Sequence, residues 1–181
     1  MQKGFAIWFT GLAAAGKTTI ASAVEQHLRA LGLRVENLDS DEVRSIISPN
    51  LGYTPEARDE NTRRLAFMAQ LLSRHDIATL IAAVAPKRMF RDRARGMVGN
   101  FVEVWVKCPL EVCRQRDPKG LYARAARGEI HDVTGIHIPY EEPLNPELIL
   151  ATDRETIAES TEKVLAKLRE LALIPAEVAA R

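Results

Sequence analysis

The sequence predicts an α/β fold of three layers, with a mostly parallel five-stranded sheet between helices. Three observations carry this. Short apolar runs alternate with segments of helical periodicity, the first run breaks at a glycine and reopens as a lysine-bearing turn, and no repeat or low-complexity linker interrupts the order. The expected strands are Phe5 to Thr10, Val35 to Asp39, Thr79 to Val84, Phe101 to Cys108 and Leu148 to Thr152. Helices are expected at about 17–31, 41–48, 55–75, 87–97, 109–127 with a break at Pro118, and 154–171. In such sheets ligands bind beyond the carboxyl ends of the strands, so strand exits are where chemistry is to be sought.

A chain of 181 residues suits one domain with a substantial core, expected over 1–174, followed by a tail at 175–181. The net charge of +1 provides no basic field for nucleic acid. Positive charge is local, at residues 87–95 and 114–127, which suits a small anionic ligand. The longest apolar stretch, Thr79 to Ala85, is far short of the roughly 20 residues a membrane span requires. Only Met1 to Gly4 precede the first strand, leaving no room for a leader, and two cysteines, Cys108 and Cys113, make no disulfide framework or zinc site. The expectation is a cytosolic protein without a membrane or nucleic-acid partner.

Residues 5–19, FAIWFTGLAAAGKTT, fit G-x-x-x-x-G-K-[ST] with Gly11, Gly16, Lys17 and Thr18 in the fixed places and Leu12, Ala13, Ala14 and Ala15 between them. The apolar strand before and the helix opening at Thr18, Thr19 and Ile20 after are the setting a phosphate-binding loop needs, and they place the chain in the P-loop NTPase fold. Backbone amides of about residues 13–18 would face phosphate oxygens, with Lys17 on the β and γ phosphates of ATP and the Thr18 hydroxyl on Mg²⁺. The alanines imply negative φ throughout 13–15.

The second strand exits through Leu38-Asp39-Ser40-Asp41, two carboxylates that can face the phosphate loop. Mg²⁺ takes one or two carboxylates beside phosphates and water, and one of the pair can accept a proton from an attacking hydroxyl. Ser40-Asp41 also reads as a helix cap, which is compatible with either role. Thr54-Pro55 opens the next helix, and Arg58 and Asn61 share a face of its first turns. Arginine at a helix start opposes the dipole, so Arg58 implies an anionic ligand, whereas Arg64 is explained by pairing with Glu60. The third strand delivers Ala85-Pro86-Lys87-Arg88, and Arg91, Arg93 and Arg95 beyond it read as solvated or paired with acids such as Asp92. The stretch from about 114 to 135 carries Arg114, Arg116, Lys119, Arg124 and Arg127 around Asp117-Pro118 and Gly120, the composition of a helical lid that closes over phosphates. A long loop follows at 128–147, and its His131 and His137 are not at zinc-ligand spacing.

Taken together, GLAAAGKTT, LDSDEVR, LGYTPEARDENTRR, RDPKGLYARAARGEI and TGIHIPYEEPLNPEL resemble adenylylsulfate kinase (APS kinase) over nearly the whole chain. That resemblance implies transfer of a phosphoryl group from ATP to the 3′-hydroxyl of adenosine 5′-phosphosulfate. It implies ATP phosphates on Gly11 to Thr19, Asp41 as base and metal partner, and Cys108 and Arg114 near the ATP base. For the acceptor it implies Asp39, Arg44, Arg58, Asn61, Val84, Ala85, Lys119 and Val133, with Tyr53 stacked on the adenine, and it implies a homodimer. This chain departs from the family at Ala85, which has no hydroxyl, and at Val133, where the loss of an aromatic clamp is worth about 1 kcal/mol. Those departures bear on acceptor choice and leave another small hydroxyl substrate as the alternative. A nucleotide-binding module without turnover, or a GTPase reading of Asp117-Pro118-Lys119-Gly120, are further alternatives, the last lacking a guanine-reading Asn-Lys-x-Asp.

Overall fold

The structure, a computed structural model, describes residues 3–176, so most of the expected tail at 175–181 lies outside the described residues. In chain order the elements are β1 (Phe5–Thr10), α1 (Lys17–Ala30), β2 (Val35–Asp39), α2 (Ser40–Ile47), α3 (Pro55–Arg74), β3 (Ala78–Ala82), α4 (Arg88–Met97), β4 (Phe101–Lys107), α5 (Leu110–Arg116), α6 (Leu121–Ala126), β5 (Leu148–Ala151) and α7 (Ile157–Glu170). The five strands form one sheet in the order β2-β3-β1-β4-β5, and every pairing is parallel. Neighbours of β1 are entered from opposite directions along the chain, which makes its carboxyl end the switch point where a doubly wound sheet opens a crevice.

The strands read as continuous apolar runs because both faces are covered, and alternation decides which side chain goes where. Phe5, Ile7 and Phe9 of β1 pack with Ile20, Val24 and Leu28 of α1 and Val164, Leu165 and Leu168 of α7. Ala6 and Trp8 point to the other face, against Leu65, Ala66 and Ala69 of α3 and Ala94 of α4. The Trp8 ring lies tilted against Phe101, centroids 6.0 Å apart.

Two boundaries differ from the sequence expectation by more than one residue. β3 ends at Ala82 instead of Val84, because the Val84 carbonyl accepts from the Thr10 hydroxyl (2.7 Å) and Ala85 turns into left-handed backbone at φ 41°. Helix α7 begins at Ile157, since Thr156 and Glu159 close a capping box that fixes the start three residues later than expected. The break expected at Pro118 is present: α5 and α6 are parted by Asp117-Pro118-Lys119-Gly120.

The basic run on α4 is also organised differently from the expectation. Asp92 partners none of its arginines by ion pair: Arg91 pairs with Glu103, Arg93 with Asp59, and Arg95 with Glu147 and Glu103. Arg91 is buried at 1% exposure, because the sheet covers that face of α4 with a carboxylate already waiting on β4.

Candidate functional site

At the carboxyl edge of the sheet lies a cleft of about 1090 Å³, floored by residues 13–20 and 82–86 and walled by β2–α2, α3, the 116–134 segment and the 152–160 turn. A pocket for one drug-sized ligand spans about 300–1,000 Å³, so this one stands at the large end of that range.

The loop between β1 and α1 occupies the centre. Gly11 has φ 147°, and a Cβ there would stand 2.3 Å from the Val106 carbonyl oxygen, so the close approach of β1 and β4 at the loop's origin admits only glycine. Gly16 is left-handed at φ 100° as α1 begins. The expectation of negative φ at 13–15 is corrected at Ala14, whose φ is 59°. The loop needs one left-handed residue to curl back, closed by the Ala15 amide donating to the Leu12 carbonyl at 3.3 Å, and alanine takes that conformation at a cost of about 1 kcal/mol. Lys17 is buried, and its ammonium donates to the carbonyls of Gly11 (3.1 Å) and Leu12 (2.7 Å). Burial brings its pKa down to about 8, opposed by the negative charges of Asp41 and Asp39. Ala13 to Thr19 line the cleft, while Gly11 and Leu12 lie beneath it.

The β2 exit supplies the carboxylates. Asp39 caps α2 by accepting from the Asp41 amide at 2.9 Å, and its second oxygen accepts from the Thr18 hydroxyl at 2.7 Å. The cap is therefore Asp39 and not Ser40 or Asp41, and Asp39 is the carboxylate that reaches the phosphate loop. Asp41 projects from the first turn of α2 and accepts from the Lys119 ammonium at 2.5 Å, a bond that raises the lysine's pKa. Both carboxylates line the cleft.

Further along α2 and at the start of α3, Arg44 and Arg58 hold Tyr53 between them, their guanidinium carbons 4.4 and 5.5 Å from its ring centroid. Arg58 donates to the carbonyls of Tyr53 (2.9 Å) and Asp132 (2.7 Å), and Arg44 to those of Leu51 and Gly52. Neither makes an ion pair with a carboxylate among the described residues, and burial followed by the Arg44 charge lowers the pKa of Arg58. Two guanidiniums held by carbonyls alone retain positive potential for an anion. Asn61 is buried at 4% exposure, with its amide nitrogen 3.4 Å from the Ser40 hydroxyl and its carbonyl oxygen without a partner.

The lid stretch is docked, not detached. Tyr122 and Ala125 are buried, and the Tyr122 hydroxyl donates to the Ala13 carbonyl at 3.1 Å. Glycines at positive φ, Gly120 (63°) and Gly128 (72°), bracket α6. Asp117 accepts from the Ala123 amide at 2.9 Å, a helix-capping role that removes the GTPase reading of the Asp117 motif. Val84, Ala85, Lys119 and Val133 line the cleft as expected, with Ala85 and Val133 buried beneath its surface.

Cys108 and Arg114 are not brought to the cleft. Cys108 is buried in the core with its carbonyl accepting from the Cys113 thiol, and Arg114 sits on the exposed side of α5. Arg116, half a turn further on, takes the cleft position and donates to the Thr152 carbonyl at 2.6 Å. Lys87 and Arg88 are likewise outside the lining, Arg88 being drawn to Glu141 and Glu142. The wall formed by Thr152, Thr156, Ile157 and Ser160 went unnamed in the sequence reading, although Thr152 stands where a strand exit would point to it. Its hydroxyl donates to the Ala15 carbonyl at 2.8 Å, tying β5 to the phosphate loop.

The model of the adenylylsulphate kinase family matches residues 3–151. The chain belongs to the adenylylsulphate kinase family. An adenylyl-sulfate kinase of Rippkaea orientalis is 51% identical over 178 residues, 98% of each chain, and one of Halothermothrix orenii is 53% identical over 169, covering 93% of this chain and 91% of the other. Among solved structures, the APS kinase of Mycobacterium tuberculosis in complex with AMPPNP and APS superposes with a TM-score of 0.90 at 39% identity, covering 93% of this chain and 99% of that one. Membership of this kinase family agrees with the P-loop NTPase architecture read from the sequence, including the parallel sheet.

Proposed function

We propose that this adenylylsulphate kinase family member moves the γ-phosphoryl group of ATP onto the 3′-hydroxyl of adenosine 5′-phosphosulfate, giving ADP and 3′-phosphoadenosine 5′-phosphosulfate. One observation carries the assignment of halves within the cleft. The phosphate loop with Lys17 lies on one side, two arginines lacking carboxylate partners lie on the other, and Asp39 and Asp41 stand between them. The solved complex of the Mycobacterium tuberculosis relative, with AMPPNP and APS, supports two nucleotides as the occupants.

In this reading Ala13 to Thr19 cradle the ATP phosphates, and Lys17 leaves the Gly11 and Leu12 carbonyls for phosphate oxygens. Arg116 and the Thr152 to Ile157 wall flank the nucleotide base, taking the place the resemblance gave to Cys108 and Arg114. Arg44 and Arg58 neutralise the acceptor's phosphosulfate, Tyr53 and Val133 bound its adenine, and the free Asn61 carbonyl oxygen accepts from it. Asp41 orients the 3′-hydroxyl and takes its proton, with Lys119 passing from Asp41 to the anionic oxygens as substrate arrives. Positioning and charge neutralisation supply the rate.

The hydroxyl and carboxylate oxygens of Thr18 and Asp39, 2.7 Å apart, are the hard donors Mg²⁺ prefers, with Asp41 two residues on in the first turn of α2. When bound there, Mg²⁺ would neutralise charge between the β and γ phosphates. We also propose a homodimer in the cytoplasm. The hexameric APS kinase of Thiobacillus denitrificans supports self-association.

ADP release measured with and without adenosine 5′-phosphosulfate tests the reaction. Release that depends on the acceptor is expected, whereas equal release in both arms, or release with a different alcohol only, would reject the acceptor assignment. Asp41→Asn is expected to lower kcat by about 10²-fold or more with ATP affinity held within about twofold.

A further inference from the structure

The turn from Ala83 to Pro86 lines the cleft, yet nothing in its own sequence explains its shape. Ala85 lies at φ 41°, a conformation alanine adopts only under constraint. The constraint comes from behind the sheet. Each successive carbonyl of the turn is held: Val84 by the Thr10 hydroxyl (2.7 Å), Ala85 by Arg91 Nη1 (2.5 Å), and Pro86 by the Glu141 amide (2.8 Å).

Arg91 joins these holds. Its Nε donates to Glu103 at 2.8 Å, its Nη2 to the Glu141 carbonyl at 2.6 Å, and its guanidinium lies 5.5 Å from the Tyr140 ring centroid. The Tyr140 hydroxyl is 2.9 Å from Thr10 Oγ1. Because Thr10 spends its only proton on Val84, Tyr140 is the donor there, and burial, which pushes its pKa up to about 12, keeps that proton in place. A buried ion pair is a poor source of stability, since desolvation offsets its attraction and an apolar pair would pack as well. What an apolar pair cannot do is direct several donors of one rigid fork at three separate acceptors.

We propose that Arg91 is the positioning residue of the acceptor half of the cleft: through Ala85, Glu141 and Tyr140 it fixes the turn against which the acceptor nucleotide lies, and so sets acceptor affinity without touching the acceptor. This rests on the reading that the Val84 to Pro86 turn floors the acceptor side. It also explains how Ala85 serves where a hydroxyl is absent, because the turn's contribution is the placement of its backbone.

Steady-state kinetics on the full chain tests it, with Arg91→Met joined to Glu103→Gln so that the buried carboxylate is not left with Arg95 at 3.3 Å as its sole ion-pair partner among the described residues, and with Tyr140→Phe as a milder variant. The double variant is expected to raise KM for adenosine 5′-phosphosulfate about tenfold with KM for ATP within about twofold, and Tyr140→Phe to move the acceptor KM the same way by about threefold. If the double variant does not fold, Arg91→Lys decides, since it keeps the charge beside Glu103 and loses the fork that reaches Ala85 and Glu141 together, and it is expected to raise the acceptor KM alone. Arg58→Ala is the control for the underlying reading: if it leaves acceptor KM unchanged, the acceptor lies elsewhere and that reading fails. If Arg58→Ala raises acceptor KM while the Arg91 and Tyr140 variants lower only the melting temperature, or shift both KM values together, Arg91 is structural and the proposal is overturned.

Discussion

Lys17 shows how a single side chain links folding to ligand binding. Folded, it releases its proton near pH 8, whereas the unfolded chain holds it to about 10.5, because burial penalises the ammonium. Between those values the unfolded state binds more protons, so this group makes folding more favourable as pH rises through the window and contributes no pH dependence below it. Binding runs the other way, since a triphosphate needs the ammonium. ATP affinity is therefore expected to fall as pH rises above about 8, with proton uptake on binding seen calorimetrically in buffers of different ionisation enthalpy. An affinity flat from about pH 7 to about pH 9.5 would show that Lys17 stays charged in the loop. Cys113 lies near this ammonium, but burial and the neighbouring Cys108 thiol push its own thiol pKa up to about 12, so it acts as packing.

Elements here are placed by their ends. Gly11 ends β1 with no room for a Cβ beside Val106, so Gly11→Ala must push β1 and β4 apart or distort the loop. A loss of about 3 kcal/mol or more is expected, read by urea titration, together with loss of ATP binding. Thr156 starts α7 through a reciprocal pair of bonds with Glu159, and Thr156→Ala is expected to cost about 1 kcal/mol in the same measurement. A drop below about 0.3 kcal/mol would mean that the apolar face of α7, Val164, Leu165 and Leu168, fixes the helix without its cap. These ends also build the site: Asp39 caps α2 and reaches Thr18 with one carboxylate, so a single residue secures a helix and lines the cleft.

Across the whole molecule, the 139–147 segment has no regular secondary structure yet is stitched to α4 by Arg88, Arg91 and Arg95 and to β4 by the Glu103 amide. Protection should follow those bonds and not secondary structure. Hydrogen exchange is expected to show the Glu141 amide, bonded to Pro86, slowed comparably to amides of the central sheet. Exchange of Glu141 as fast as the exposed turn at 49–54 would show the segment opening independently, and with it the turn at Ala85.

How much was legible follows from the range of the interactions. Local pattern sufficed for the parallel sheet, the strand-loop-helix around Lys17, the Thr54-Pro55 helix start and the Glu60 to Arg64 pair, because periodicity, caps and i,i+4 spacing act over a few residues. The resemblance supplied the family. Tertiary structure alone decided that Asp39 faces Thr18 while Asp41 meets Lys119, that Arg116 and not Arg114 faces the cleft, and that Arg91 is buried on Glu103 instead of solvated near Asp92. Those outcomes depend on helix phase and on which strand lies beneath, and partners such as Pro86 and Glu141, 55 positions apart in the chain, carry no mutual signal until the sheet brings them together.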